Sequence, residues 1–174
     1  MDEKFVDDRP REAIRDYSLW DYALAVYSQP AIQAQCLHLQ DRYELDVNLL
    51  LAAGYWACAQ RCWSNAQVDE LVAESAELRE NYVLPLRALR TNATGPKRKA
   101  LYQALKTAEL AAERLQIDAI AHLLSVMPSS AQPDDANEYE LNLQAYARVY
   151  TGRERVSLTT DLAELAAAMA AAVN

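Results

Sequence analysis

From Asn65 to Met127 the chain reads NAQVDELVAESAELRENYVLPLRALR, then TNATGP, then KRKALYQALKTAELAAERLQIDAIAHLLSVM. In the first segment Val68, Leu71, Val72, Ser75, Leu78, Tyr82, Val83, Leu86 and Leu89 recur at three- and four-residue steps, the period of an amphipathic helix. Pro85 lies inside that pattern; it lacks a backbone donor and its ring clashes with the preceding turn, so a kink is expected there. Thr91 to Pro96 has the composition of a turn. The last segment predicts a helix from Lys97 to about Met127, with Leu101, Leu105, Ala108, Ala112, Leu115, Ala119, Leu123 and Met127 as its core stripe. Two long helices joined by a short turn form an antiparallel hairpin.

Working outward, the rest of the chain also reads as helix. Ser18 is a good N-cap for Leu19–Tyr27, and Pro30 suits the first turn of a second helix reaching about Tyr43. Asp46 caps a third, Val47 to about Trp63, in which only Asn48, Gly54 and Tyr55 interrupt an apolar run up to Ala59. A helix apolar all round is buried on all sides, and this run falls short of the about 20 residues that a bilayer requires. A sixth helix is expected from about Ala136 to Tyr150, ended by Gly152, and a last one from Thr160 or Asp161 to the C-terminus. Arg155 to Leu158 is the only stretch with any strand character. The expectation is one all-α domain of about seven helices over residues 16–174, preceded by a charged, loosely held tail over 1–15.

Composition supports this. The chain has 174 residues and 52% apolar content, enough for a core that needs neither disulfide nor metal. Only 3 Gly are present, too few and too scattered for a phosphate-cradling loop. Met1 to Pro10 is charged and does not resemble a secretory signal; with 3 Cys, an odd number, reduced thiols in a cytoplasm are expected.

The charge pattern singles out one window. Between Leu86 and Lys106 there are six basic residues and no acid, in a chain of net charge -8. Arg87 and Arg90 end the fourth helix, where cations complement the macrodipole. Lys97, Arg98 and Lys99 begin the fifth, where the dipole opposes them by a few tenths of a kcal/mol each. That cost calls for an acidic counterpart inside the protein or outside it. The two alternatives for the five residues are a solvated or internally paired surface, and a contact with an acidic protein surface or other anion. The acidic balance of the whole chain disfavours nucleic acid, although an RNA contact through the tip stays open.

Other constellations are weaker. Cys36, His38, Cys58 and Cys62 are four soft ligands of the Cys3His type. However, residues two apart on a helix point about 200° away from each other, so Cys36 and His38 read better as packed or surface groups, and no metal or cofactor is expected. A dyad of His38 with Asp41 or Glu44 is conceivable by proximity alone, while His122 has the position of a helix-surface residue. Asp69/Glu70, Glu70/Glu74 and Glu77/Glu80 are most simply a solvated face, without the Glu-x-x-His motif of a diiron bundle. Tyr17, Trp20, Tyr22, Tyr27, Tyr43, Tyr55, Trp56 and Trp63 form either a core or a groove; a groove would suit an anionic small ligand or a second copy of the chain.

The blocks LWDYALAVY (Leu19–Tyr27), CLHLQD from Cys36, LDVNLLL from Leu45, VLPLRALR from Val83, ALY from Ala100 and ELAAER from Glu109 occur in order. Together they resemble a family of small uncharacterised proteobacterial proteins, a conserved domain of unknown function, over roughly residues 18–127. The resemblance implies a bacterial cytosolic helical protein and supplies no activity, cofactor or catalytic residue. The function expected from the residues is a non-enzymatic interaction or adaptor module, with an anionic-ligand or enzymatic helical protein as the alternative.

Overall fold

The computed structural model describes residues 17–130, 137–149 and 154–173, and among them builds seven helices. They are α1 (Leu19–Tyr27), α2 (Pro30–Tyr43), α3 (Val47–Cys58), α4 (residues 65–92), α5 (Lys99–Val126), α6 (Glu138–Ala147) and α7 (Arg155–Val173). The tail read over residues 1–15, and Ala136, Tyr150 and Gly152 as helix boundaries, lie outside the described residues.

Side-chain caps account for several of the helix starts. Ser18 Oγ accepts from Asp21 N–H, and Asp46 Oδ1 accepts from Asn48 N–H at 2.9 Å. Ser64 and Gln67 form a reciprocal capping box at the start of α4. Asn137 accepts from the amides of Tyr139 and Glu140. Each such cap satisfies a backbone donor that the helix itself leaves open, and is worth about 1 kcal/mol.

Helix α3 is the centre of the molecule. Ten of its residues are buried, and α1, α2, α5, α6 and α7 all pack around it. Gly54 is where that packing is tightest: a Cβ there would meet Met169 Sδ and Tyr22 Oη at 2.6 Å. The helix stops at Cys58, not at Trp63. Gln60 turns left-handed (φ 57°), and Cys62 then pairs in extended conformation with Ser130. Asn142 on α6, fully buried, holds this exit by accepting from Trp63 N–H at 2.8 Å and donating to Arg61 O at 2.8 Å.

The C-terminal helix begins at Arg155, so the strand character of Arg155 to Leu158 and a start at Thr160 or Asp161 are both corrected. Leu158 faces the core at a helical step from Leu162 and Leu165, and this periodic burial outweighs local strand propensity. Among the described residues α7 is the one helix with the length and composition to cross a membrane. Here Leu162, Leu165 and Met169 are in the core, against α2, α3 and α6.

In the hairpin, Pro85 does not break α4. The turn before it, Arg79–Val83, widens to a π-helix in which Leu84 N–H donates to Arg79 O, five residues back. A π turn takes up one extra residue, so the face that follows is rotated by about 100° relative to a continuous α-helix. Val68, Leu71, Ser75 and Val83 remain buried, but Tyr82 and Leu89, expected in the core stripe, are 53% and 56% exposed. Arg87 and Arg90 turn inward instead. The stripe of α5 is likewise displaced by about one residue: Ala112 and Met127 are buried as expected, Leu101 and Leu115 are exposed, and the inner face is Glu109, Gln116, Ile117, Ile120 and Leu124.

Candidate functional site

The hairpin tip is a turn through Gly95, whose φ of 104° lies in the region that favours glycine, followed by a short 3-10 turn Pro96–Arg98. Regular α-helix begins at Lys99, two residues later than expected, with no side chain capping its first amides. Lys97, Arg98 and Lys99 are exposed. Arg98 donates to Asn92 O at 3.3 Å, closing the end of α4. No carboxylate pairs with any of the three among the described residues.

Arg87 and Arg90 behave differently. Arg87 donates from Nε to Glu109 Oε1 at 2.9 Å, from Nη2 to Glu113 Oε1 at 2.8 Å, and from Nη1 to Gln40 Oε1 on α2. Arg90 grips both oxygens of Glu109, through Nε and through Nη2 (3.2 Å), and its guanidinium lies 5.8 Å from the Tyr102 ring centre. Arg90 does stand in the last turn of its helix, but the macrodipole is a minor part of the explanation for either residue: both are counter-ions of a carboxylate whose side chain is only 7% exposed. Burial pushes the Glu109 carboxyl up, and the hydrogen bonds and charges of Arg90 and Arg87 outweigh it and hold it below the usual glutamate range. For Glu113 burial wins over Arg87, and its pKa is raised.

A second polar cluster lies deeper. Gln116 on α5 donates to Asp46 Oδ2 at 2.5 Å and accepts from Asn48 Nδ2 at 2.7 Å. Tyr146 Oη accepts from Asp46 N–H at 2.8 Å, and Arg79, in the π turn, stands 3.5 Å from Asp46 Oδ2. Burial raises the Asp46 pKa against the opposing pull of Arg79, Gln116 and Asn48. The same π turn therefore aims Arg79 at this cluster and Arg87 and Arg90 at Glu109.

Between α1–α3 and the hairpin opens a cleft of about 420 Å³. All its charged side chains come from the hairpin: Arg87, Arg90, Lys106, Glu109 and Glu113. Its opposite wall carries half-buried Trp20 and Tyr27, and Leu37 is exposed at it. Of the eight N-terminal aromatics, Tyr17, Tyr22, Tyr43, Trp56 and Trp63 are core, so the choice between core and groove divides by residue.

The four soft ligands do not converge. Cys36, Cys58 and Cys62 are buried, while His38 is exposed and its Nε2 lies 3.1 Å from Asp161 Oδ2 on α7. Among the described residues no three His, Cys, Asp or Glu are grouped to hold a metal ion. The partner of His38 is thus neither Asp41 nor Glu44; Asp161 also accepts from Tyr43 Oη at 2.6 Å, tying α7 to α2.

Residues 18–120 match the family model described as "Protein of unknown function (DUF2390)". The chain belongs to this family. The DUF2390 span covers α1 to α4 and most of α5, so the hairpin tip, the arginine–glutamate lock and every residue lining the cleft fall inside it. Helices α6 and α7 lie beyond it. No curated protein and no solved structure matches the chain.

Glu109 and Glu113 are the residues that sequence reasoning missed. The available signal was an i,i+4 carboxylate pair on one helix opposite an i,i+3 arginine pair on the helix before it.

Proposed function

We propose that this DUF2390 protein is a non-enzymatic interaction module of the bacterial cytosol that engages an acidic protein surface through its hairpin tip. The observation that carries this reading is the triad Lys97, Arg98 and Lys99, with which no carboxylate pairs among the described residues. These three exposed cations sit at the positive end of a 28-residue helix, with no side chain capping it. The position costs a few tenths of a kcal/mol per charge, and an acidic partner docked there would offset that cost. Arg87 and Arg90 are the contrast: their charges are satisfied by Glu109. The contact surface is thereby narrowed from five residues to three, and the arginines serve as the brace that holds the tip in place. A protein surface is favoured over RNA because the chain as a whole carries a net charge of -8.

The test is a comparative capture from the native cell, read by mass spectrometry. The bait is the intact protein beside a Lys97→Glu/Arg98→Glu/Lys99→Glu variant. Acidic partners that bind the first and not the second support the reading; identical capture by both would sink it.

A further inference from the structure

By turning Arg87 and Arg90 inward, the π turn leaves a row of apolar side chains facing out. On α4, Tyr82, Pro85 and Leu89 follow one another at three- and four-residue steps, and all are exposed. On α5, Leu101, Ala104, Ala111 and Leu115 hold an exposed row of the same kind, with half-buried Ala108 between them. None of these residues lines the cleft to α1–α3, and the two helices pack side by side. The two rows therefore make one apolar face on the back of the hairpin. Tyr82, Leu89, Leu101 and Leu115 are 53%, 56%, 53% and 60% exposed on it. They belong to the stripe that helical periodicity assigns to a core, and a contiguous apolar face of this kind marks an interaction surface.

The ends of this face carry opposite charge. At the tip stand Lys97, Arg98 and Lys99, with no carboxylate paired to them among the described residues. At the other end Glu70, Glu74 and Glu77 are exposed and, among the described residues, form no ion pair. Their spacing continues the outer row of α4: the next step would reach position 81, and the one residue taken up by the π turn moves it to Tyr82. Measured along the helices from the level where Arg87 meets Glu109, Lys97 lies about 18 Å to one side and Glu77 about 15 Å to the other. A twofold axis at that level, perpendicular to the hairpin, lays a second copy antiparallel on the first. Each basic tip then meets the glutamate row of the other copy, and the apolar rows meet between them. Two helices side by side over this length present a face of about 30 Å by about 20 Å. Two such faces bury about 1,200 Å², the lower end of the range for specific interfaces.

We propose that the back of the hairpin is a homodimer interface, formed by a second copy of this chain docked antiparallel. The inference rests on the reading of the tip as a contact for an acidic protein surface, and it names that surface as the Glu70–Glu74–Glu77 row of an identical chain. Twofold symmetry makes the contact self-complementary, so one surface supplies both partners.

Sedimentation velocity of the purified full chain tests it. The intact protein is expected to run at twice the chain mass at about 100 μM and to dissociate on dilution. Leu89→Glu/Leu101→Glu, at exposed positions, should run as a monomer with unchanged far-UV circular dichroism. Lys97→Glu/Arg98→Glu/Lys99→Glu and Glu70→Lys/Glu74→Lys/Glu77→Lys should each be monomeric alone. Mixed in equal amounts, these two charge variants should form a heterodimer, because each tip again faces a row of opposite sign. A monomeric intact chain, a dimer that survives either the leucine or the triad substitutions, or a mixture that stays monomeric would each overturn the proposal. A monomeric intact chain whose capture of acidic partners from the native cell still depends on the triad overturns the homodimer and leaves the reading of the tip standing. Capture and sedimentation both indifferent to the triad overturn the two together.

Discussion

Arg87 faces Glu109 across the hairpin, Nε to Oε1 at 2.9 Å, because the π turn Arg79–Val83 just upstream has rotated it inward. Along a continuous α-helix Leu89 would have held the inner face, and the arginine would have stood in solvent. One extra residue in the helical path thus exchanges an apolar contact for a charged one. The exchange is stable only because the facing helix supplies Glu109 and Glu113.

Replacing Glu109 with Gln leaves two partly buried guanidiniums without their main counter-charge. Breaking a fully buried pair costs about 3–5 kcal/mol; with Arg87 and Arg90 about a quarter exposed, a loss of about 2 kcal/mol in urea unfolding is expected. The pH dependence carries a definite sign. Glu109 has a depressed pKa when folded, so its stabilisation is full above the ordinary glutamate value of about 4.3 and is lost as pH falls through the lower folded value. The stability gap between the intact protein and Glu109→Gln should therefore close on acidification below pH about 4. Glu113 is raised in the fold by burial and in part by the Glu109 charge, so its opposing contribution is smaller in Glu109→Gln than in the intact protein.

Deleting Asn81, an exposed residue of the π turn, should restore a plain α path and, because it removes the one residue that the π turn takes up, leave Arg87 and Arg90 facing Glu109. The expected outcome is nearly unchanged helix content by circular dichroism, with a stability loss smaller than that of Glu109→Gln in urea unfolding. A loss as large as that of Glu109→Gln would mean that the lock does not survive on a plain α path.

Tyr22 Oη is buried without a hydrogen-bond partner among the described residues and would lie 2.6 Å from any Cβ at position 54. Gly54→Ala should cost about 1–3 kcal/mol by overpacking. Tyr22→Phe removes an unsatisfied hydroxyl and should be neutral or stabilising by up to about 1 kcal/mol. The two substitutions share one contact, so the double variant should be more stable than their sum predicts, as a double-mutant cycle in thermal unfolding would register.

Burial pushes the Cys36 thiol up to about 12, and Cys58 and Cys62 are buried as well. Thiolate is the reactive form. Ellman's reagent at pH 8 should therefore label the folded protein slowly and all three cysteines rapidly in denaturant. Fast labelling of Cys36 in the folded protein would contradict its burial.

The helices and the hairpin were legible because three- and four-residue spacing and caps such as Ser18 and Asp46 are local signals. The inner faces of the hairpin were not. Periodicity places Glu and Gln outward by default, yet Glu109 and Gln116 are buried. Their reasons for burial are Arg87, 22 residues away, and Asp46, 70 residues away. Pro85 flagged a disturbance in α4, but a proline alone does not distinguish a kink from a π turn, and that choice decides where Arg87 and Arg90 point. At the tip, the opposition of Lys97, Arg98 and Lys99 to their helix dipole was readable directly, since it depends only on where a helix begins.

The most direct measurement of the central claim compares three baits in native-cell capture: the intact protein, the Lys97→Glu/Arg98→Glu/Lys99→Glu variant, and Glu109→Gln. Unfolding midpoints are recorded beside the captured proteins. The triad variant is expected to be at least as stable as the intact protein, since acids suit a helix start, and to lose the acidic partners that the intact protein recovers. Glu109→Gln should be less stable and, while folded, keep them. Acidic partners retained by the triad variant would contradict the assignment of the tip as the contact surface.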